Sequence, residues 1–166
     1  MTTPSPALTI RAAKPADVPT ILGMIRELAE FEQLSHLVVA DEALLGEALF
    51  GARPACECVL GSEAEEPVTF ALFFHNFSTF LGRRGLYLED LYVKPSARRR
   101  GHAKTMLAHL AALAVERGCG RFEWSVLDWN ANAIGFYQRL GADVMPDWRI
   151  CRVTGSALQA LAALGK

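Results

Sequence analysis

Three segments hold residue types that can do chemistry together. The first is Val93-Lys94-Pro95-Ser96-Ala97-Arg98-Arg99-Arg100-Gly101-His102-Ala103. Its pattern reads as a strand end, a turn and a helix that begins at small residues. The first N–H groups of a helix lack an internal acceptor and carry the positive end of its dipole. Gly101 and Ala103 leave room for a ligand, and cationic Arg side chains surround it. Such a turn suits a diphosphate. A Walker loop is excluded because its Gly-Lys-Ser/Thr ending is missing, and the dinucleotide fingerprint because its glycine spacing is absent. Arginines merely solvated at a helix start would oppose the dipole, so anion binding is the better reading.

The second segment, Leu86-Tyr87-Leu88-Glu89-Asp90-Leu91-Tyr92-Val93, sets two acids inside an apolar β-forming run. Carboxylates are rarely buried alone, and Asp is depleted in strands. On a regular strand Glu89 and Asp90 face opposite sides. A bulge would turn both toward one cleft, and an exposed edge strand is the alternative. In the third segment, Asp128-Trp129-Asn130-Ala131-Asn132-Ala133-Ile134-Gly135-Phe136-Tyr137, Asn130 is a good helix cap. Tyr137 follows about two turns on, where a phenol can donate a proton, although a helical Phe-Tyr pair is more often core.

These segments need elements to position them. Leu8–Ala12 reads as a strand. Pro15 and Asp17 open a helix in which Val18, Ile21, Leu22, Ile25, Leu28 and Ala29 form an apolar stripe. A second helix starts near Asp41. Strands are expected at Cys56–Leu60, Val68–Phe74 and Leu86–Val93. The last two flank a loop, Asn76–Gly85, as a hairpin. The central helix runs to about Arg117, where Gly118 and Gly120 stop it. Phe122–Leu127 is a strand, Asn130 caps a helix that ends at Gly141, and Arg149–Val153 is a last strand before a short Ala/Leu helix. This order describes a mixed α/β domain and not a regular βαβ repeat.

The chain has 166 residues, with 51% apolar and 21% charged, which is ordinary globular composition and excludes intrinsic disorder. One domain is expected over residues 8–166, after a flexible tip at 1–7. The net charge of −1 argues against a general nucleic-acid binder. No apolar run is long enough to cross a bilayer, and Met1–Ile10 lacks the regions of a signal peptide. The expectation is a soluble, cytoplasmic protein without membrane or nucleic-acid partners. Cys56, Cys58, Cys119 and Cys151, and His36, His75, His102 and His109, form no ligand spacing. Buried or half-buried free thiols and no metal are expected.

In this order and spacing, the three segments resemble the GCN5-related N-acetyltransferase superfamily. Its acyl-CoA loop, Arg/Gln-x-x-Gly-x-Gly/Ala, is matched by Arg98, Gly101 and Ala103. Leu88-Glu89-Asp90, Trp129-Asn130, Phe136-Tyr137, Trp148-Arg149, and Glu27-Leu28-Ala29 with Phe31-Glu32 are similar to the diamine (spermidine/spermine) and thialysine N-acetyltransferase subgroup. The resemblance implies a single-domain fold with flanking helices and a mixed central sheet splayed between its fourth and fifth strands. Acetyl-CoA would be wedged there as co-substrate. Its diphosphate would rest on the loop Arg98, Arg99, Arg100, Gly101, His102, Ala103 and Lys104. Its pantetheine arm would pair like a strand with Leu91, Tyr92 and Val93, and Asn130 and Ala133 would meet it from the other side.

The resemblance further implies direct attack on the thioester by a primary amine. Glu89 is the implied base, acting through water, a freed N–H near Leu91 would stabilise the oxyanion, and Tyr137 is the implied acid. Phe31, Glu32, Glu89, Asp90 and Trp148 would receive a small cationic amine, with Glu123, Trp124 and Ser125 as weaker candidates. The subgroup is commonly homodimeric. Phe77-Ser78-Thr79-Phe80 lacks the acid and Trp of the spermidine/spermine enzymes at this loop, which favours a small amine, either a polyamine or lysine-like. The alternatives are a protein or peptide N-acetyltransferase and a non-catalytic acyl-CoA-binding module.

Overall fold

The computed structural model describes residues 7–165, so all of the expected tip except Ala7 lies outside the described residues. The chain forms two compact units, Met1–Ser125 and Val126–Lys166.

In the first unit, strand β1 (Thr9–Ala12) turns into helix α1 (Val18–Phe31). Arg11 donates to both oxygens of Asp17 at 2.7 and 2.9 Å, and the Lys14 N–H donates to the same carboxylate at 2.7 Å. The Arg11 hydrogen bond holds the Asp17 carboxyl below its usual range. The expected stripe of α1 buries Val18, Ile21, Leu22 and Met24. Asp41 caps helix α2 (Glu42–Phe50), accepting from the Leu44 N–H at 2.8 Å.

Strands β2 (Glu57–Glu63), β3 (Glu66–Ser78) and β4 (Arg83–Val93) follow, then helix α3 (His102–Glu116) and strand β5 (Phe122–Trp124). The sheet order is β1-β2-β3-β4-β5. The first three pairings are antiparallel, and β5 lies parallel to β4. Strand alternation gives the sheet two apolar faces. Cys58, Leu60, Phe70, Leu72 and Tyr92 pack under α1 and α2. Val59, Ala71, Phe73, Leu86 and Leu88 point to the opposite face. The guanidinium of Arg117, at the end of α3, lies 5.9 Å from the Phe73 ring on that face.

Three expectations about extent are corrected. The strands expected at Cys56–Leu60 and Val68–Phe74 extend toward each other until only the two-residue connection Ala64-Glu65 is left between them, with φ of 45° and 71°. The loop expected at Asn76–Gly85 is mostly strand, because pairing continues through Asn76↔Gly85 to Ser78↔Arg83. Polar side chains sit comfortably on an exposed strand end, so their composition imitates a loop. Conversely, β5 stops at Trp124 rather than Leu127, opposite Leu88 and just before the irregularity in β4.

The second unit holds helix α4 (Ala131–Arg139) and helix α5 (Gly155–Ala163). The last strand expected at 149–153 does not form. Residues 149–153 pair with no strand among the described residues, and alternation yields a strand only where a neighbour supplies the ladder. Cys151 is accordingly exposed, against the expectation of a buried thiol, whereas Cys58 is buried and Cys56 and Cys119 are half-buried. Among the described residues no helix is long and apolar enough to cross a membrane.

Candidate active site

The centre of the site is an irregularity in β4. Phe74 stands opposite Tyr87, Phe73 opposite Leu88, and Leu72 opposite Asp90. Glu89 is left without a partner, the extra residue of a β-bulge. Tyr87 and Asp90 share the α1–α2 side of the sheet with Phe74 and Leu72, while Leu88 points to the other side. Glu89, next after Leu88, projects to the Asp90 side. The bulge thus turns two consecutive acids to one face, as the second of the two sequence expectations has it.

Their electrostatics follow from that crowding. Burial, then the charges of Glu89 and Glu32, pushes the half-buried Asp90 carboxyl up to about 6. Burial also raises the Glu32 carboxyl, at the C-terminal end of α1. Burial and the charge of Glu89 raise the Cys56 thiol, which leaves it a poor nucleophile.

The bulge also opens the sheet. The β4–β5 pairing runs through Leu86↔Phe122, Tyr87↔Glu123 and Leu88↔Trp124, and then ends. Beyond it the Lys94 N–H donates to the Val68 carbonyl at 2.9 Å. Antiparallel bonding alternates, so Tyr92 bonds toward β3 while the N–H groups of Leu91 and Val93 point away from it. An extended ligand finds a strand edge there.

The chain then enters the arginine turn. The Arg98 N–H donates to Pro95 O at 3.3 Å, and the Thr105 N–H to Gly101 O at 3.0 Å. Between them, the N–H groups of residues 99–104 have no protein acceptor among the described residues. Gly101 has φ 85°, and a Cβ there would meet nothing within 4 Å. Six consecutive free donors over open space at a helix start fit a diphosphate.

The side chains of the turn divide into two groups. Arg98 Nε donates to the Val93 carbonyl at 3.0 Å, and its guanidinium lies 5.1 Å from the Phe31 ring and 5.8 Å from that of Tyr92. Tyr92 in turn donates to Glu27 at 2.8 Å. Arg100 donates to Glu63 at 2.6 Å and to Ser96 O at 2.9 Å, and the buried His102 bonds the other Glu63 oxygen through Nε2. Arg98, Arg100 and His102 therefore brace the turn. Arg99 and Lys104 are exposed cations with no acceptor among the described residues. Arg98→Ala removes a hydrogen bond and two ring contacts, an expected stability loss of about 1–2 kcal/mol. Thermal melting checks this. CoA affinity should fall with little change in its salt dependence, since the guanidinium faces α1 and not the free donors.

The candidates on β5 are separated by strand alternation. Glu123 accepts from Asn76 Nδ2 at 2.9 Å and lies 2.9 Å from Arg121 Nε. Ser125 Oγ is 2.8 Å from the Tyr87 hydroxyl. Both belong to the face of Glu89 and Asp90. Trp124 is on the opposite face, its ring 4.9 Å from that of Phe122. Tyr87, Asn76 and Arg121 are missed by motif reading. Tyr87 was accessible from period-two spacing to Glu89, whereas the other two depend on register.

In the second unit, Asn130 Oδ1 accepts from the Ala133 N–H at 3.2 Å, so its cap oxygen is engaged. Tyr137 lies on α4 at helical spacing from both, its ring 5.4 Å from Phe136. Trp148 stands in the irregular segment with 75% of its surface exposed.

Residues 23–142 match the acetyltransferase (GNAT) family. The chain is 38% identical over 168 residues to the thialysine N-epsilon-acetyltransferase of Sus scrofa, covering 94% of this chain and 98% of that one. It is 36% identical over 197 residues to L-ornithine N5-acetyltransferase NATA1 of Arabidopsis thaliana, covering 92% and 86%. An integron cassette protein of V. cholerae shares the fold, with a TM-score of 0.78 at 24% identity over 93% of this chain and 97% of that one. A strand edge opened by a bulge, followed by a turn of free N–H donors, is what an acyl-CoA-dependent transferase requires. The chain belongs to the GNAT acetyltransferase family and is an N-acetyltransferase that uses acetyl-CoA as co-substrate.

Proposed function

We propose that the protein acetylates the side-chain primary amine of a small lysine-like amino acid, the class to which ornithine and thialysine belong, by direct attack. The observation that carries this reading is the bulge, which puts Glu89 and Asp90 on one face beside the open edge of β4. An alkylamine resembles Lys, with a pKa of about 10.4, and only its neutral form attacks. Glu89 and Asp90 serve as one proton-accepting pair. A carboxyl raised to about 6, as at Asp90, is a stronger base than an ordinary carboxylate and is still ionised at neutral pH.

Acetyl-CoA supplies an activated acetyl thioester when bound. The free N–H groups of residues 99–104, with Arg99 and Lys104, hold its diphosphate. The outward N–H of Leu91 offers a hydrogen bond to the acyl oxygen, and Tyr137 protonates the departing thiolate. Glu32 and Phe31 receive the cation. Glu123 already has Arg121 and Asn76 as partners, which weakens this face for the second charge of a long polyamine. A homodimer is the assembly we infer for this subgroup member, and sedimentation tests it.

The test of substrate class is a panel of ornithine, lysine, thialysine, putrescine and spermidine, with thiol release as readout. The reading expects the amino acids to give the highest kcat/KM. Turnover confined to spermidine, or to peptide amines, would contradict it.

A further inference from the structure

The acids on the α1–α2 face account for a substrate's cation, but an amino acid also carries a carboxylate. The geometry points to Arg121 as the residue that reads this carboxylate and so separates amino acids from the corresponding diamines. The inference rests on the substrate reading above and goes beyond it.

Arg121 stands beside β4 at the level of Gly85, where the Leu86 N–H donates to its carbonyl at 3.0 Å. It directly precedes β5, and its Nε lies 2.9 Å from Glu123 Oε2, so both side chains lie on the face that carries Tyr87, Glu89 and Asp90. Gly85 makes this possible. A Cβ there would lie 2.3 Å from Asn76 Oδ1 and 3.0 Å from Arg121 Cγ, so the arginine stem runs across a strand position that must lack a side chain.

The polar atoms of this cluster are incompletely satisfied. Arg121 Nε is 2.9 Å from Glu123 Oε2 but is not aligned to donate to it, and Nε and Asn76 Oδ1 are both buried without a hydrogen-bond partner. Nη2 reaches the Phe77 carbonyl at 3.4 Å, and Nη1 donates to no acceptor among the described residues. Buried polar groups nearly always have partners, and the unused guanidinium donors mark a place where an acceptor is missing. A carboxylate accepts from a guanidinium through two N–H groups, which a lone amine cannot do.

The spacing is compatible with this role. Gly85 and Glu89 are separated by about 13 Å at roughly 3.3 Å per strand residue. Strand side chains stand roughly perpendicular to the sheet, so the two heads keep about that separation, which a lysine-like molecule with a hydrogen bond at each end can span. Arg98, on the same side of the sheet, is not available, since Val93 and two rings hold it.

The experiment compares each amino acid with its decarboxylated counterpart: lysine with cadaverine, and ornithine with putrescine. The readout is the ratio of their kcat/KM values in the native enzyme, Arg121→Gln and Arg121→Lys. A charged hydrogen-bonding partner predicts a fall of about tenfold or more in the ratio for Arg121→Gln. Most of it should appear in KM of the amino acid, with recovery in Arg121→Lys. A general folding defect would lower both members of a pair and leave the ratio alone. A ratio within twofold of the native value in Arg121→Gln overturns the assignment while leaving the substrate class intact. Native enzyme that acetylates the diamines but neither amino acid overturns both.

Discussion

Asp90→Asn is expected to raise thermal stability and lower turnover in the same molecule. Burial beside Glu89 and Glu32 pushes the folded carboxyl up to about 6, whereas an unfolded Asp titrates near 3.9. The folded state therefore binds more protons between about pH 4 and 6. Stability is lost as pH rises through that window and stays lost above it. Asn carries no charge to desolvate and escapes the loss, so a gain of the order of 2 kcal/mol is expected at pH 7, or several degrees in Tm. At pH 4, where the native Asp90 is also neutral, the two proteins should melt nearly together. A Tm difference unchanged between these pH values would show that the buried charge is not its source. For catalysis, losing half of the proton-accepting pair is expected to lower kcat/KM about 100-fold. The rising limb of the pH–rate profile near pH 6 should shift with it. Stability given up at a working site is a common trade-off, and here it lies in one carboxyl.

Tyr137→Phe is expected to lower kcat by about 100-fold while CoA affinity stays within twofold. The substitution keeps the ring and its contact with Phe136 and removes the hydroxyl. The measurement is steady-state kinetics beside calorimetric titration with CoA. Lost affinity with intact kcat would assign the hydroxyl to binding instead. On the proposal that Tyr137 protonates the thiolate, rates should recover with a thioester whose thiol is more acidic. No such recovery is expected in Asp90→Asn, which acts on the amine.

The two residues were legible in the sequence to different degrees. The helix that carries Tyr137 follows from the Asn130 cap and its spacing, a local property that α4 reproduces, whereas the acid role comes from the family resemblance alone. Glu89 and Asp90 are conspicuous as acids in an apolar strand, but alternation alone sends them to opposite faces. Only the register of β3, which passes from Phe73↔Leu88 to Leu72↔Asp90, decides that Glu89 is the residue skipped. The arginine turn shows the same division. Its small residues and charge are visible in the chain, and its free N–H groups follow from them. The direction of each guanidinium does not, because Glu63 on β2 and Phe31 on α1 hold Arg100 and Arg98 from distant parts of the sequence. The unformed strand at 149–153 fails for a related reason: a strand is a property of a pair.

Hydrogen exchange with and without CoA tests most directly whether the ligand lies along β4 and on the turn beyond it. Saturating CoA should slow exchange most at Leu91, Val93 and the amides of residues 99–104, which have no acceptor of their own. Binding that leaves these amides unprotected, or that protects chiefly some other part of the chain, would contradict the account.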